Sequence, residues 1–162
     1  MAKKKSKSSN LGLILKVVVL ALGVAAFCMA FLKVATHTAD LLITEVETSY
    51  TGFQAMFGYS KTTTILGKEV ATEILKFSFM ALLTFVLPLV GAGLSFVNNK
   101  IVKFVGAGLM IAGGVLMFFV PSFVIFASEA SVELSLGIGA ILGGVFSLLG
   151  GLVAGYAVLT NK

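Results

Sequence analysis

Four long apolar segments, separated by short polar ones, constrain this chain more than any other feature of its sequence. They lie at about residues 11–35, 77–97, 104–127 and 134–159. Each is close to the roughly 20 apolar residues that an α-helix needs to cross about 30 Å of hydrocarbon. The sequence therefore predicts an all-α integral membrane protein, built as a single bundle of four transmembrane helices within residues 11–162.

The composition supports the same class of protein. Of the 162 residues, 58% are hydrophobic and 12% are charged, whereas a soluble domain has about 25% charged residues. A soluble fold of this length could not keep so much apolar surface out of water, because a large share of any small globule is surface. Lipid is therefore the expected solvent for most of the chain.

The lysines predict the orientation of the chain in the bilayer. Residues 1–10, MAKKKSKSSN, form a basic segment that we expect to be a disordered cytoplasmic tail. Its lysines are predicted to set the topology and to contact anionic lipid headgroups rather than nucleic acid: they are Lys3, Lys4, Lys5 and Lys7. With both termini cytoplasmic in the cell membrane, eight lysines lie inside and all seven acidic residues lie outside.

The first apolar segment also resembles a signal peptide, because it follows a basic start. Its apolar stretch is long, and the one small-residue cleavage motif, Cys28-Met29-Ala30, lies deep inside it. We therefore expect an uncleaved membrane anchor.

Residues 36–72 form the one substantial polar region, which we interpret as a small extracellular cap between the first two spans. Residues 43–48 alternate in polarity and Thr62–Leu66 is β-prone, so a short β-hairpin is one interpretation. The alternative is that the first helix continues to about Thr48. The aromatic residues of the cap are predicted to contact a partner: they are Tyr50, Phe53, Phe57 and Tyr59.

Residues suited to catalysis are scarce. The four predicted spans contain no Asp, Glu, His or Arg, and ionisable groups within a membrane are the usual mark of proton relays and ion pathways. His37, with Asp40 and Glu45, supplies only half a metal site, so we interpret it as a solvated interfacial histidine. Glu129 and Glu133 suit the N-terminus of the fourth helix. The sequence predicts no enzyme activity, no cofactor and no metal.

Small residues recur at every fourth position along the fourth span, and others occur in the third. Such a pattern lets a second helix approach closely. We predict a helix-packing or oligomer interface made by Gly139, Gly143, Ser147, Gly151, Gly155, Gly106 and Gly113. Packing within the chain and contact with a second copy both fit the pattern.

Two prolines and one cysteine also lie in the predicted spans. Pro88 and Pro121 are placed inside spans two and three, where each can act as a hinge or as a static bend. Cys28, the only cysteine, is interpreted as a small buried hydrophobe.

This layout resembles that of small four-span bacterial membrane proteins and, at the level of topology, the claudin-like tetraspan proteins. Both ends lie inside, the first outer loop is the larger, and the second is short. The tryptophan and paired cysteines of the claudin outer loop are missing, because the chain has no Trp and one Cys. No residue roles are therefore carried over, and the resemblance implies only adhesion and lateral assembly.

The predicted function is that of a non-enzymatic scaffold or accessory subunit. It would self-associate, or bind a membrane-protein partner, through its glycine-rich helix faces and its outer loop. A small oligomeric channel or passive facilitator is the alternative, because two spans contain proline and the bundle contains hydroxyl side chains.

Overall fold

The computed structural model describes residues 3–41, 44–65, 68–127 and 133–160. These residues form helices and short strands, with one 3₁₀ turn at Met29–Phe31 directly after the first helix. In chain order the elements are α1 (Lys3–Cys28), β1 (Lys33–Leu41), β2 (Thr44–Thr51), α2 (Gly52–Phe57), β3 (Tyr59–Ile65), β4 (Lys68–Lys76), α3 (Phe79–Leu94), α4 (Lys100–Met117), α5 (Val120–Phe123), β5 (Ile125–Phe126), β6 (Ser135–Leu136) and α6 (Ile138–Leu159).

The four long helices pack side by side. Both α1 and α4 pack along α3 and α6, so α1 and α4 occupy opposite corners of the arrangement. Buried side chains between the helices include Phe85 of α3 and Met110 and Met117 of α4. Because the side chains between the helices are apolar and fully buried, they provide the core that holds the helices together.

Three segments are long and apolar enough to cross a membrane. They are Asn10–Phe31, Lys100–Met117 and Ile138–Leu159. The fourth helix, α3, is also apolar but has 16 residues. Large hydrophobic side chains such as Ile101, Phe104 and Leu152 are exposed on the outside of these helices. An apolar outer surface of this kind is what a lipid-facing bundle requires, so the fold is compatible with a location in a membrane.

The strands form two small sheets at one end of the helices, which we call the cap end. In the first sheet β1 lies between β2 and β6, and in the second β4 lies between β3 and β5. All the pairings are antiparallel. Strand β1 follows α1 and β6 precedes α6, whereas β4 precedes α3 and β5 follows α4. Each sheet therefore ties together the ends of two neighbouring helices.

The all-α prediction is thus only partly correct, because the structure adds two sheets. Residues 43–48 and Thr62–Leu66 were expected to form one hairpin, but their described parts, residues 44–48 and 62–65, belong to different hairpins. Within the described residues, β2 pairs with β1 and β3 pairs with β4. The proposed continuation of the first helix to Thr48 is wrong, because the run rich in Thr and Val after Leu32 forms β1.

Three of the helices are shorter than predicted at their cap ends. The first ends at Cys28 rather than Ala35, because Leu32 is extended (φ −88°, ψ 169°) and the chain enters β1. The third ends at Met117 rather than Ala127, and the fourth begins at Ile138 rather than Leu134. Residues of these two predicted helices form β5 and β6 instead. The pairing of these strands in the sheets satisfies their backbone hydrogen-bonding groups.

The second helix is also shorter than predicted, running over Phe79–Leu94 instead of residues 77–97. Ser78 caps its N-terminus by accepting a hydrogen bond from the Ala81 N–H. Pro88 lies inside this helix as predicted, but Pro121 does not lie inside a long helix. It occupies the first turn of α5, where its missing N–H costs no helical hydrogen bond.

The N-terminal segment differs from its prediction as well. Helix α1 begins at Lys3, so residues 3–10 are helical rather than a disordered tail. Lys3, Lys4, Lys5 and Lys7 therefore lie in the first turns of α1. They are placed at the end of the molecule opposite the sheets.

Candidate partner-binding surface

A short helix connects the two hairpins of the cap. Helix α2 begins with a capping box, in which the Thr51 hydroxyl accepts from the Gln54 N–H and the Gln54 side chain accepts from the Thr51 N–H. The sequence signal for it, Thr-x-x-Gln, was present and was missed. The helix ends at Gly58, whose φ of +86° favours glycine.

Helix α2 rests on the end of α1 through phenylalanine side chains. The Phe53 ring lies 6.2 Å from that of Phe27 and 4.6 Å from that of Phe31, measured between centroids. Phe57 stacks on Phe53 at 6.0 Å. Phe31 and Phe57 remain 65% and 59% exposed. The cluster thus fixes α2 to the bundle and leaves an aromatic edge uncovered, at the level where the apolar part of α1 ends.

The four aromatic residues predicted to contact a partner are not equally accessible. Tyr50 is 7% exposed and packs edge to face on Phe126 at 6.0 Å. Burial raises the pKa of Tyr50, and the nearby Tyr59 raises it further. Phe53 and Tyr59 are half-buried, and Phe57 is exposed. Phe57 and Tyr59 line an open cavity of about 300 Å³ with Ser60 and Glu73.

The second hairpin, formed by β3 and β4, is exposed on both faces. Consecutive residues point to opposite faces of a strand, and consecutive residues are exposed on both strands of this hairpin. They include Ser60, Lys61, Thr62, Ala71, Thr72 and Glu73. Within the described residues β5 pairs with β4 only at Leu75 and Lys76. Most of the hairpin therefore presents two polar faces and two sheet edges.

His37, which was predicted to be a solvated interfacial histidine, is half-buried, and its Nδ1 lies 3.0 Å from the carbonyl oxygen of Glu133. Since a carbonyl can only accept, Nδ1–H is the donor, and it links β1 to the segment before β6. Asp40 and Glu45 are opposite each other in the register of β1 and β2. Glu129 lies outside the described residues, and Glu133 precedes β6 rather than starting α6.

A metal centre is not seen in the described part of the chain. No group of three or more His, Cys, Asp or Glu side chains there could hold a metal ion. Cys28 is exposed rather than buried, so its interpretation as a buried hydrophobe is wrong.

Six of the seven predicted small interface residues face another part of the same chain. Helices α3 and α4 approach each other closely, and a Cβ added to Gly106 would lie 2.6 Å from the Gly91 carbonyl oxygen. Ser147 donates a hydrogen bond of 2.6 Å to the Met110 carbonyl oxygen. The other positions with neighbours within 4 Å are Gly113, Gly139, Gly143 and Gly151. A Cβ added to Gly155 would meet nothing within 4 Å.

Two packing residues were missed by the sequence reasoning. A Cβ on Gly23 of α1 would lie 2.5 Å from the Ala92 Cβ of α3. Ser78, besides capping α3, donates a 2.6 Å hydrogen bond to the Phe123 carbonyl oxygen of α5. Gly23 lacked the small-residue repeat that drew attention to α6, and nothing in the sequence connects Ser78 with α5.

Comparisons with known proteins found no relatives of the chain: it matches no protein-family model, no curated protein and no solved structure. The fold and the surface define the class of the protein. It is a largely helical protein with apolar helices able to cross a membrane and a cap of two small sheets.

Proposed function

We propose that this protein is a non-enzymatic, multi-pass membrane protein that acts as a scaffold or accessory subunit and associates with a partner through its cap. The partner is either a second copy of the chain or another membrane protein. The observation that carries the proposal is the β3–β4 hairpin, which is exposed on both faces.

An isolated two-stranded hairpin is marginally stable at best in water, and it normally needs a third strand or a packed face. Among the described residues, the third strand beside the β3–β4 hairpin is β5, and its two residues pair only with the base of the hairpin. Its exposed edges are the usual template for adding a strand from another chain. A partner that pairs with this hairpin, or packs on it, would supply the missing stabilisation.

The position of the small residues also favours the cap as the contact surface. Six of the small residues lie against other parts of the same chain: they are Gly91, Gly106 and Gly113, and Gly139, Gly143 and Gly151 of the fourth-position pattern. We therefore assign these residues to packing within the chain. Of the residues predicted for an oligomer interface, Gly155 is the one left with open space around it.

We further propose that α3 crosses the membrane together with α1, α4 and α6, giving a claudin-like four-span layout. The 16 residues of α3 cover about 24 Å at 1.5 Å per residue. It lies along α4, and a short turn at residues 95–99 joins the two. The excess of lysine at the opposite end supports an orientation with the cap outside and both termini in the cytoplasm of the cell.

Photo-crosslinking tests the partner role. A crosslinking residue replaces Thr72 in the exposed hairpin, and in a control variant it replaces Lys100, which is exposed at the other end of the molecule. We expect a discrete crosslinked species from position 72 and none from position 100. A monomer in nanodiscs that gives no crosslinked product from position 72 in its native membrane would contradict the proposal.

The small channel or facilitator is the second candidate function, and one observation favours it. Pro88 lies inside α3, where a proline breaks a helical hydrogen bond and can allow a hinge. The side chains of Ser78, Thr84, Ser95 and Ser147, which are the buried polar side chains among the described residues, all make hydrogen bonds within the chain. Flux measurements on liposomes separate the two candidates, because a scaffold leaves the bilayer sealed.

A further inference from the structure

The charged residues of the β3–β4 hairpin are sorted by sign between its two faces. In the antiparallel register Glu73 is opposite Ser60 and Glu69 is opposite Thr64. Residues opposite each other share a face, and every second residue along a strand lies on that face. Both glutamates therefore lie on one face, which we call the acidic face. All of its residues are exposed: they are Ser60, Thr62, Thr64, Glu69, Ala71 and Glu73.

The other face of the hairpin carries lysine, and we call it the lysine face. Lys61 is opposite Thr72, and both are exposed. Lys68 is opposite Ile65 and lies four positions before Thr72, so the alternation along β4 places it on the same face. Within residues 60–65 and 68–73, the acidic face has no lysine and the lysine face has no acidic residue. The hairpin thus presents opposite charges on its two faces.

The open cavity of about 300 Å³ lies at the base of the acidic face, where the hairpin meets the end of α2. Three residues of that face, Ser60, Ala71 and Glu73, line it together with Phe57. The Phe57 ring is 59% exposed, and Glu73 is exposed. A carboxylate and an uncovered aromatic ring both attract an ammonium group, by ion pairing and by cation–π interaction. The cavity therefore suits the end of a lysine side chain from another chain.

We propose that the β3–β4 hairpins of neighbouring copies stack face to face, with the lysine face of one copy against the acidic face of the next. The Lys61 side chain of one copy would enter the cavity beside Glu73 of its neighbour. This inference rests on the proposed partner role of the cap, and it names the partner as a second copy of the chain. The argument for a second copy is charge complementarity, because the two faces of the same hairpin match each other in sign.

The opposite signs of the two faces also select the symmetry of the assembly. A two-fold dimer through either face would place like charges against each other, which is unfavourable. Contact between unlike faces is heterologous, and such contacts close into a ring when successive copies are related by a suitable rotation. Copies inserted in one membrane with the same orientation are related by rotation about the membrane normal. Each copy in a ring uses both faces of its hairpin, which accounts for a hairpin that is exposed on both faces in a single chain.

Exchange of charges between the faces tests the proposal. Full-length chains in lipid vesicles carry a fluorescent donor or acceptor at the end of the molecule opposite the cap, and energy transfer between copies reports their association. Lys61→Glu with Lys68→Glu makes both faces acidic, whereas Glu69→Lys with Glu73→Lys makes both faces basic. Each double variant alone should associate about tenfold more weakly than the wild type. An equimolar mixture of the two should regain association, because each copy then meets neighbours of opposite charge.

Recovery in the mixture guards the test against misfolding, because two misfolded chains would not restore each other. Glu47→Lys is the matched control, since it reverses one exposed acidic residue of the first hairpin, and it should change association by less than about twofold. A mixture that stays dissociated would overturn the proposal, as expected if the lysine face contacts anionic lipid headgroups instead. Wild-type chains that show no energy transfer, yet crosslink from position 72 to a different protein in the native membrane, would also overturn it. That last result would leave the partner role of the cap intact.

Discussion

At the scale of single residues, the glycines show how much of the helix packing can be predicted from the sequence. The small-residue repeat of α6 marked residues that do contact neighbouring helices, because small side chains permit close approach. It could not indicate which helix each glycine faces. The nearest neighbours of Gly143 include atoms of α1 and α4, whereas the three nearest neighbours of Gly151 all belong to α4. Those contacts depend on how the helices are arranged, which the repeat does not encode.

Gly91→Ala is predicted to destabilise the protein. The new Cβ would lie 2.5 Å from the Gly106 carbonyl oxygen, and that backbone atom cannot move aside cheaply. Overpacking of this kind costs about 1–3 kcal/mol. Thermal unfolding in detergent micelles measures the loss.

Gly93→Ala is the control for this substitution, because a Cβ there meets nothing within 4 Å and the residue lies in the same helix. It should leave stability unchanged or raise it by up to about 1 kcal/mol, since alanine is the better helix former. Equal losses at both positions would show that α3 and α4 do not approach as described.

Tyr50 is predicted to make the cap sensitive to alkaline pH. Burial raises its pKa above the ordinary value of 10.0, so the folded state retains the phenolic proton more strongly than the unfolded state. The stabilisation is complete below pH 10 and is lost as the pH rises through the pKa of the folded protein. With no tryptophan in the chain, phenolate absorbance reports the titration cleanly.

Tyr50→Phe should remove one tyrosine transition above pH 10 and flatten the decline of stability there. A variant whose stability declines above pH 10 as steeply as that of the wild type would show that the side chain of Tyr50 is not buried as described.

At the scale of elements, the apolar segments predicted the helices but not their ends. Hydrophobicity continues through Ile125, Phe126 and Leu136, so composition alone extends the third and fourth helices across them. These residues form β5 and β6 because strands from the distant first polar region lie beside them. Long-range pairing of this kind is not visible in a local pattern, whereas the Thr51 capping box was.

Ser78→Ala is predicted to weaken the junction between the second hairpin and the bundle. The serine both caps α3 and donates to the Phe123 carbonyl oxygen of α5. Loss of the cap and of one buried hydrogen bond should cost about 2 kcal/mol together. Chemical unfolding in micelles measures it.

Asn99→Ala supplies the comparison for that prediction. Asn99 caps α4 by accepting from the Ile101 N–H, but it is exposed and makes no bond to another element. Its loss should cost about 1 kcal/mol or less. A cost for Ser78→Ala no greater than this would contradict the bridging role of Ser78.

At the scale of the whole molecule, the separation of charge along the chain predicted which residues share an end. The acidic residues that the structure describes belong to the cap segments, and the cluster of lysines belongs to the start of α1. The first sheet at the cap was not predictable, because it is built from residues far apart in sequence. It unites Ala35 with Leu136.

The central claim is that the cap and the α3–α4 turn lie on opposite sides of a membrane. Labelling of single cysteines by a membrane-impermeant maleimide tests it, in a chain whose own Cys28 is replaced by alanine. Thr72→Cys precedes α3 and Lys100→Cys follows it, and both positions are exposed. The account predicts labelling of Thr72→Cys in intact cells and of Lys100→Cys only after permeabilisation. Labelling of both variants in intact cells, or the reverse order, would contradict it.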